Sequence, residues 1–116
     1  MAISFGHDRP WGAVSQHEFR RLTQDPRHPL TYRVHFAAIG WADRQGHAGF
    51  GPGRLAVLLG KDGKPLSEQS TRNAVARAKA LGLVSPRSGA ACLLLLPYLF
   101  RKGKGAPAPC RLHQDR

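Results

Sequence analysis

Helix breakers constrain this chain more than any other feature. Asp25-Pro26 and His28-Pro29, then Gly46, Pro52, Gly60, Gly82 and Pro97, recur so often that only short elements fit between them. Proline lacks an amide N–H and restricts the residue before it, and glycine readily takes the left-handed conformation that ends a helix. Between these marks, apolar residues return at helical spacing. Residues 14–24 read as a short amphipathic helix. Ser15 is its expected N-cap, Glu18 completes a capping box, and Val14 with Phe19 makes a hydrophobic staple. Residues 30–44 read as the next helix, capped by Thr31, with Leu30, Val34, Ala37, Ala38 and Trp41 on one face.

Gly46 closes that helix or lies in the turn after it, and the glycine-rich run that follows leads into a third helix. Pro52 suits its first turn. Leu55, Leu58 and Leu59 supply its apolar side, and Gly60 stops it. A loop, KDGKP, joins it to a longer helix at about residues 68–81, with Ser67 as N-cap and Glu68 in the first turn. Thr71, Ala74, Val75, Ala78 and Leu81 line one face, while Gln69, Arg72, Asn73, Arg77 and Lys79 fall around the other. Leu83-Val84 then reads as a strand, PRSG as a turn with Arg87 at its tip, and Cys92–Leu96 as a second, buried strand. The expected fold is mainly α with a small β-hairpin. Residues 1–29 form an N-terminal extension, 30–100 the principal domain, and 101–116 a basic, mobile tail rich in Pro and Gly.

Charge points to the partner. Eighteen Lys and Arg stand against seven Asp and Glu, a formal net charge of +11. Such an excess favours an anionic partner, and duplex DNA carries a negative charge about every 1.7 Å. RNA and an acidic membrane surface are the rival anions. The longest apolar run, Ala90–Leu96, is far short of a membrane span, and no secretory signal is visible, so no membrane partner and a cytoplasmic, nucleoid-associated location are expected. Cys92 reads as core and Cys110 as exposed, with no pairing implied.

The six histidines are scattered without a Cys or carboxylate at ligand spacing, so no metal and no cofactor are expected. The GFGPG run lacks the GK[ST] ending of a phosphate loop. No nucleophile–base pairing or carboxylate pair is evident, and the chain reads as non-enzymatic.

The order helix, helix, polar helix, hairpin carries the functional expectation. Residues 34–85 resemble the winged helix-turn-helix domains of phage and plasmid replication and regulatory proteins. The resemblance rests on Ala42, Asp43 and Gly46 after the first helix, Leu55-Ala56 in the second, and Leu81-Gly82-Leu83 followed by Val84 at the end of the third. That last signature is shared with MarR-like regulators. The resemblance implies a winged helix with an extra N-terminal helix, and a third helix that enters the major groove while the hairpin touches the flanking backbone. The link KDGKPLSEQ is longer than the family's, which gives Lys61 and Lys64 backbone contacts of their own.

The candidate DNA-binding residues are therefore Lys61, Lys64, Ser67, Gln69, Ser70, Arg72, Asn73, Arg77, Lys79, Arg87 and Ser88. Arg72 and Arg77 suit guanine O6 and N7 or a phosphate, and Gln69 and Asn73 suit adenine N6 and N7. Ser70 lies near a helix N-terminus, where anions are favoured. Arg87 suits a narrow minor groove. The expected function is a transcriptional regulator of phage, plasmid or bacterial origin. The alternatives are a replication-origin or recombination accessory protein, and a protein-interaction module or inhibitor on the same scaffold. A homodimer is a further expected partner arrangement, through Phe19 and Leu22 or through the LLLLPYLF segment. The competing expectation is that those residues complete the monomer core.

Overall fold

Residues 3–103 are described by the computed structural model, and within them the chain is mainly helical with a two-stranded antiparallel sheet. The elements run α1 (Gln16–Thr23), α2 (Leu30–Trp41), β1 (His47–Gly49), α3 (Arg54–Leu58), α4 (Glu68–Ala80) and β2 (Cys92–Leu94). Cys110 and nearly all of the expected tail lie outside the described residues.

Local chemistry sets most boundaries. Ser15 caps α1 as expected, its hydroxyl accepting from the Glu18 amide at 3.2 Å. The other half of the expected capping box is replaced: the Glu18 carboxylate pairs with Arg21 at 3.0 Å. Val14 stays 59% exposed. Phe19 instead meets Phe36 of α2 edge-on, with ring centroids 5.7 Å apart. Between α1 and α2, Asp25 accepts from the Arg27 guanidinium and backbone amide, which hold its carboxyl well below the usual carboxylate range. A folded-state value depressed in this way contributes stability at neutral pH that is lost as the pH falls through the acid range.

The expected cap of α2, Thr31, lies inside the helix, which starts directly after Pro29 with no side-chain cap. The helix also stops at Trp41, short of the expected residue 44. Asp43 ends it: its Oδ1 accepts from the amides of Gln45 (2.8 Å) and His47 (3.0 Å), and Gly46, at φ +83°, turns the chain into β1. The Ala-Asp-Gly pattern is thus a turn-forming device. The carbonyls left open at the end of α2 are satisfied from α1. Gln16 Nε2 donates to Ile39 O and Ala42 O, and Arg20 Nε to Gly40 O at 2.7 Å. Gly40 permits this approach, since a Cβ there would sit 3.0 Å from the Arg20 backbone nitrogen. Arg33 is buried and donates from Nε to Thr23 O (2.7 Å) and from Nη2 to Leu58 O, bracing α1 against α3.

The sheet differs from the expected hairpin. β2 pairs with β1, in the register His47 to Leu94, Ala48 to Leu93 and Gly49 to Cys92. Leu83-Val84 is not a strand. Its neighbour Ser85 makes one backbone bond to the sheet, from its amide to Leu94 O at 2.7 Å, and Pro86 has no amide to continue a ladder. The strand β1 went unread because its three residues, His-Ala-Gly, carry no alternation.

The core lies where α2, α3, α4 and the sheet meet. Val34, Ala37 and Ala38 of α2 face Ala74, Val75 and Ala78 of α4 in one buried cluster with Leu55, Leu59 and Leu93. Alanines on both helices allow their backbones to approach closely. Leu93 and Leu95 are consumed by this core, Phe19 and Leu22 are half-buried, and Tyr98 and Leu99 of the same C-terminal segment stay exposed. Trp41 packs on Phe50 and lies under the guanidinium groups of both Arg20 (5.3 Å) and Arg54 (5.8 Å).

The long α3–α4 link is a tight reversal. Lys61 and Lys64 exchange two backbone bonds of 3.0 Å across Asp62 (φ +54°) and Gly63 (φ +76°), the pair of positive φ angles that a type I′ turn requires. Leu66 N then bonds Ala56 O, which delivers Ser67 to the start of α4.

Candidate nucleic-acid interface

Helix α4 presents a polar face outward. Its start is set by Ser67, whose hydroxyl accepts from the Ser70 amide at 3.1 Å, while Thr71 Oγ1 returns a bond to Ser67 O. Its end is a Schellman motif: Leu83 N bonds Ala78 O and Gly82 N bonds Lys79 O, with Gly82 at φ +72°. Thr71, Ala74, Val75 and Ala78 anchor the inner face as expected. Leu81, expected on that face, lies past the last helical residue and is 63% exposed. Losing the Ser67 hydroxyl leaves the Ser70 amide without its cap. Ser67→Ala is expected to cost about 1 kcal/mol, read as a lower urea midpoint at unchanged slope.

Gln69, Asn73, Arg72 and Arg77 are exposed on the outer side of α4, together with Ala76 and Ala80. Gln69, Asn73, Ala76 and Ala80 form one stripe by helical spacing, with Arg72 and Arg77 on its two shoulders. Gln69 Nε2 donates to Asn73 Oδ1 at 2.9 Å, and Arg72 reaches Gln69 Oε1 at 3.0 Å and Glu68 Oε1 at 3.1 Å. These bonds are solvent-exposed and individually worth little, so an incoming polar ligand can exchange them. Sequence reading did not find this role of Glu68 in orienting Arg72, although the i, i+4 spacing signals it. Nor did it single out the two alanines, whose small side chains let the helix axis come close to whatever it meets.

The other expected residues fall at different places. Lys61 and Lys64 are exposed at the base of the tight turn before α4. Ser67 is committed to its cap, and Ser70 is half-buried. Lys79 is half-buried on the flank of α4 that faces α3. Arg87 lies in the turn Ser85–Ser88, where its amide bonds Ser85 Oγ and its side chain is exposed.

Ser88 is a correction. It is 5% exposed, and its hydroxyl accepts from Leu94 N (2.9 Å) and donates to Leu94 O (3.3 Å). With no strand at Leu83-Val84, the open edge of β2 takes this side chain as its partner, so Ser88 is structural. Ser88→Ala is expected to cost about 1–3 kcal/mol in thermal or urea unfolding, because the half-buried Leu94 amide loses its bond.

A groove of about 730 Å³ separates α4 from α3 and from the turn at 88–90. Its floor is apolar, with Leu55, Leu66 and Val75, and Arg72 and Lys79 stand beside it.

Among the described residues, no group of three His, Cys, Asp or Glu side chains could hold a metal ion. Cys92 Sγ lies 3.5 Å from His47 Nδ1 within the core. No helix among the described residues is long and apolar enough to cross a membrane. Neither a family model, a curated protein nor a solved structure matches the chain.

Proposed function

We propose that this chain is a non-enzymatic, double-stranded DNA-binding protein of winged-helix type that uses α4 as its recognition helix and serves as a transcriptional regulator. One observation carries the reading: a thirteen-residue helix, capped at both ends and seated on an alanine-rich core, turns Gln69, Arg72, Asn73 and Arg77 to solvent on a chain of net charge +11. A helix fits the major groove, about 12 Å wide, and arginine and amide side chains are the groups that read guanine and adenine edges there. The element order supports the same reading. α2, β1, α3 and α4 are followed by a turn at Ser85–Ser88 and a strand, the order of a winged helix in which that turn stands for the wing. Arg87 then meets the flanking minor groove, and Lys61 and Lys64 meet phosphates before α4. Two copies on half-sites about one helical turn apart form the regulatory complex.

The test is selection of bound duplexes from a random pool at low salt, followed by gel shift on the winners. Enrichment of a defined motif supports the reading. A pool that stays random, or binding to structured RNA that duplex DNA fails to displace, removes it.

A further inference from the structure

The two ends of the described chain meet at a second groove, which holds no residue of α4. Phe5, Trp11 and Val14 approach Phe19 of α1 from one side, and Leu99 and Phe100 approach it from the other, around a space of about 370 Å³. Trp11 is 51% exposed, Val14 59%, Leu99 44%, and Tyr98 beside it 71%. Scattered single apolar side chains on a surface are ordinary, but here Trp11, Val14 and Leu99 stand around one groove.

Charge indicates what the group faces. Arg101 and Lys102 line the groove, and no acidic side chain does. Both are held at its edge by the backbone. Arg101 Nε donates to Pro97 O at 3.3 Å, and Lys102 Nζ to Ala42 O at 3.4 Å. A guanidinium carries five donors and an ammonium three, so each keeps further N–H groups that can bond a carboxylate.

We propose that this groove docks an acidic amphipathic segment of a partner protein. One or two of the segment's aromatic or leucine side chains fill the space between Trp11, Val14 and Leu99, and its carboxylates bond Arg101 and Lys102. A second copy of this chain is the poorer occupant. In a two-fold pairing the same surface meets itself, which sets Arg101 and Lys102 of both copies at one interface of two chains each carrying +11. The groove is separate from α4, so this inference stands or falls independently of DNA binding, and the chain can hold a duplex and the partner together.

The experiment uses the full chain and a fluorescein-labelled helical peptide of about sixteen residues, with Leu and Phe on one face and Glu on the other. Anisotropy is expected to give a micromolar Kd that weakens with salt. Val14→Glu and Leu99→Glu, both at exposed positions, are each expected to weaken binding at least tenfold while thermal unfolding and duplex binding stay unchanged. Arg101→Glu with Lys102→Glu is expected to weaken peptide binding at least tenfold and to flatten its salt dependence. A control peptide with Ser in place of Leu and Phe is expected to bind at least tenfold more weakly. Equal binding of that control would show attraction by charge alone and overturn the proposal, as would unchanged binding by Leu99→Glu. Displacement of the peptide by oligo-dT would reassign the aromatic side chains to base stacking. A chain that sediments as a dimer, and as a monomer once Leu99→Glu is introduced, would give the groove to a second copy.

Discussion

Arg72→Glu combined with Arg77→Glu is expected to abolish duplex retention at moderate salt while leaving the fold intact. Each arginine that reads a base or phosphate contributes about 1–3 kcal/mol, and reversal adds repulsion to the loss. The fold is spared because both side chains are exposed and the bonds Arg72 makes, to Glu68 and Gln69, lie on the surface. Salt dependence gives an independent reading. Lys61, Lys64, Arg72, Arg77, Lys79 and Arg87 together set an upper log–log slope of about −5, and the double reversal should flatten it by about 2. Single alanine variants separate the roles. A loss confined to the selected motif makes Arg72 a base reader, and an equal loss on every sequence makes it a phosphate contact. Retention of duplex by the double variant with an unaltered slope would remove α4 from the interface.

Gly60→Ala is expected to be the most damaging glycine-to-alanine change among the described residues. A Cβ at this position would collide with the Lys64 carbonyl oxygen and crowd the Pro65 Cα. These are backbone atoms, fixed by the paired Lys61–Lys64 bonds and by the bond from Leu66 N to Ala56 O, so no side chain can swing aside. Forced movement in a packed site costs about 1–3 kcal/mol and occasionally more. Here it should exceed about 2 kcal/mol, which for a domain of this size lowers the melting temperature by roughly 10 °C. The contrast is Gly63→Ala in the same turn. Its Cβ would meet open space, and only the cost of placing an alanine at φ +76° applies, about 1 kcal/mol. Equal melting temperatures for the two variants would contradict the close approach at Gly60. Because the turn delivers Ser67 to the start of α4, Gly60→Ala should also weaken duplex binding, whereas Gly63→Ala should not.

Where sequence reading succeeded, the signal was local. Ser15 and Ser67 are caps because a hydroxyl one residue before a helix finds an amide three positions on, and both do so here. The spacing of Leu55, Leu58 and Leu59, and of Thr71, Ala74, Val75 and Ala78, placed those residues on buried faces without any tertiary information. Where it failed, a competing local signal or an unpaired strand edge decided. Thr31 was passed over because α2 could begin directly from Pro29, and Leu81 was left exposed because the Gly82 turn closes α4 before it. Among the candidate interface residues, the outer set on α4 was readable from helical spacing. Ser88 was not, since its burial follows from an unpaired edge of β2 that the sequence does not display.

The amino-acid order alone determined the serine caps of α1 and α4, the inner and outer faces of α4 and the strong positive charge, because the caps and faces depend on residues within a few turns of one another and the charge on composition alone. Only the tertiary structure decided that β2 joins a strand formed by residues 47–49, that Asp43 and Ser88 serve the backbone, and that the two ends of the chain build a common groove. The strand pairing and the groove join residues far apart in the chain, and Asp43 and Ser88 answer backbone groups that a turn or a strand edge leaves open; neither leaves a periodic trace in the sequence.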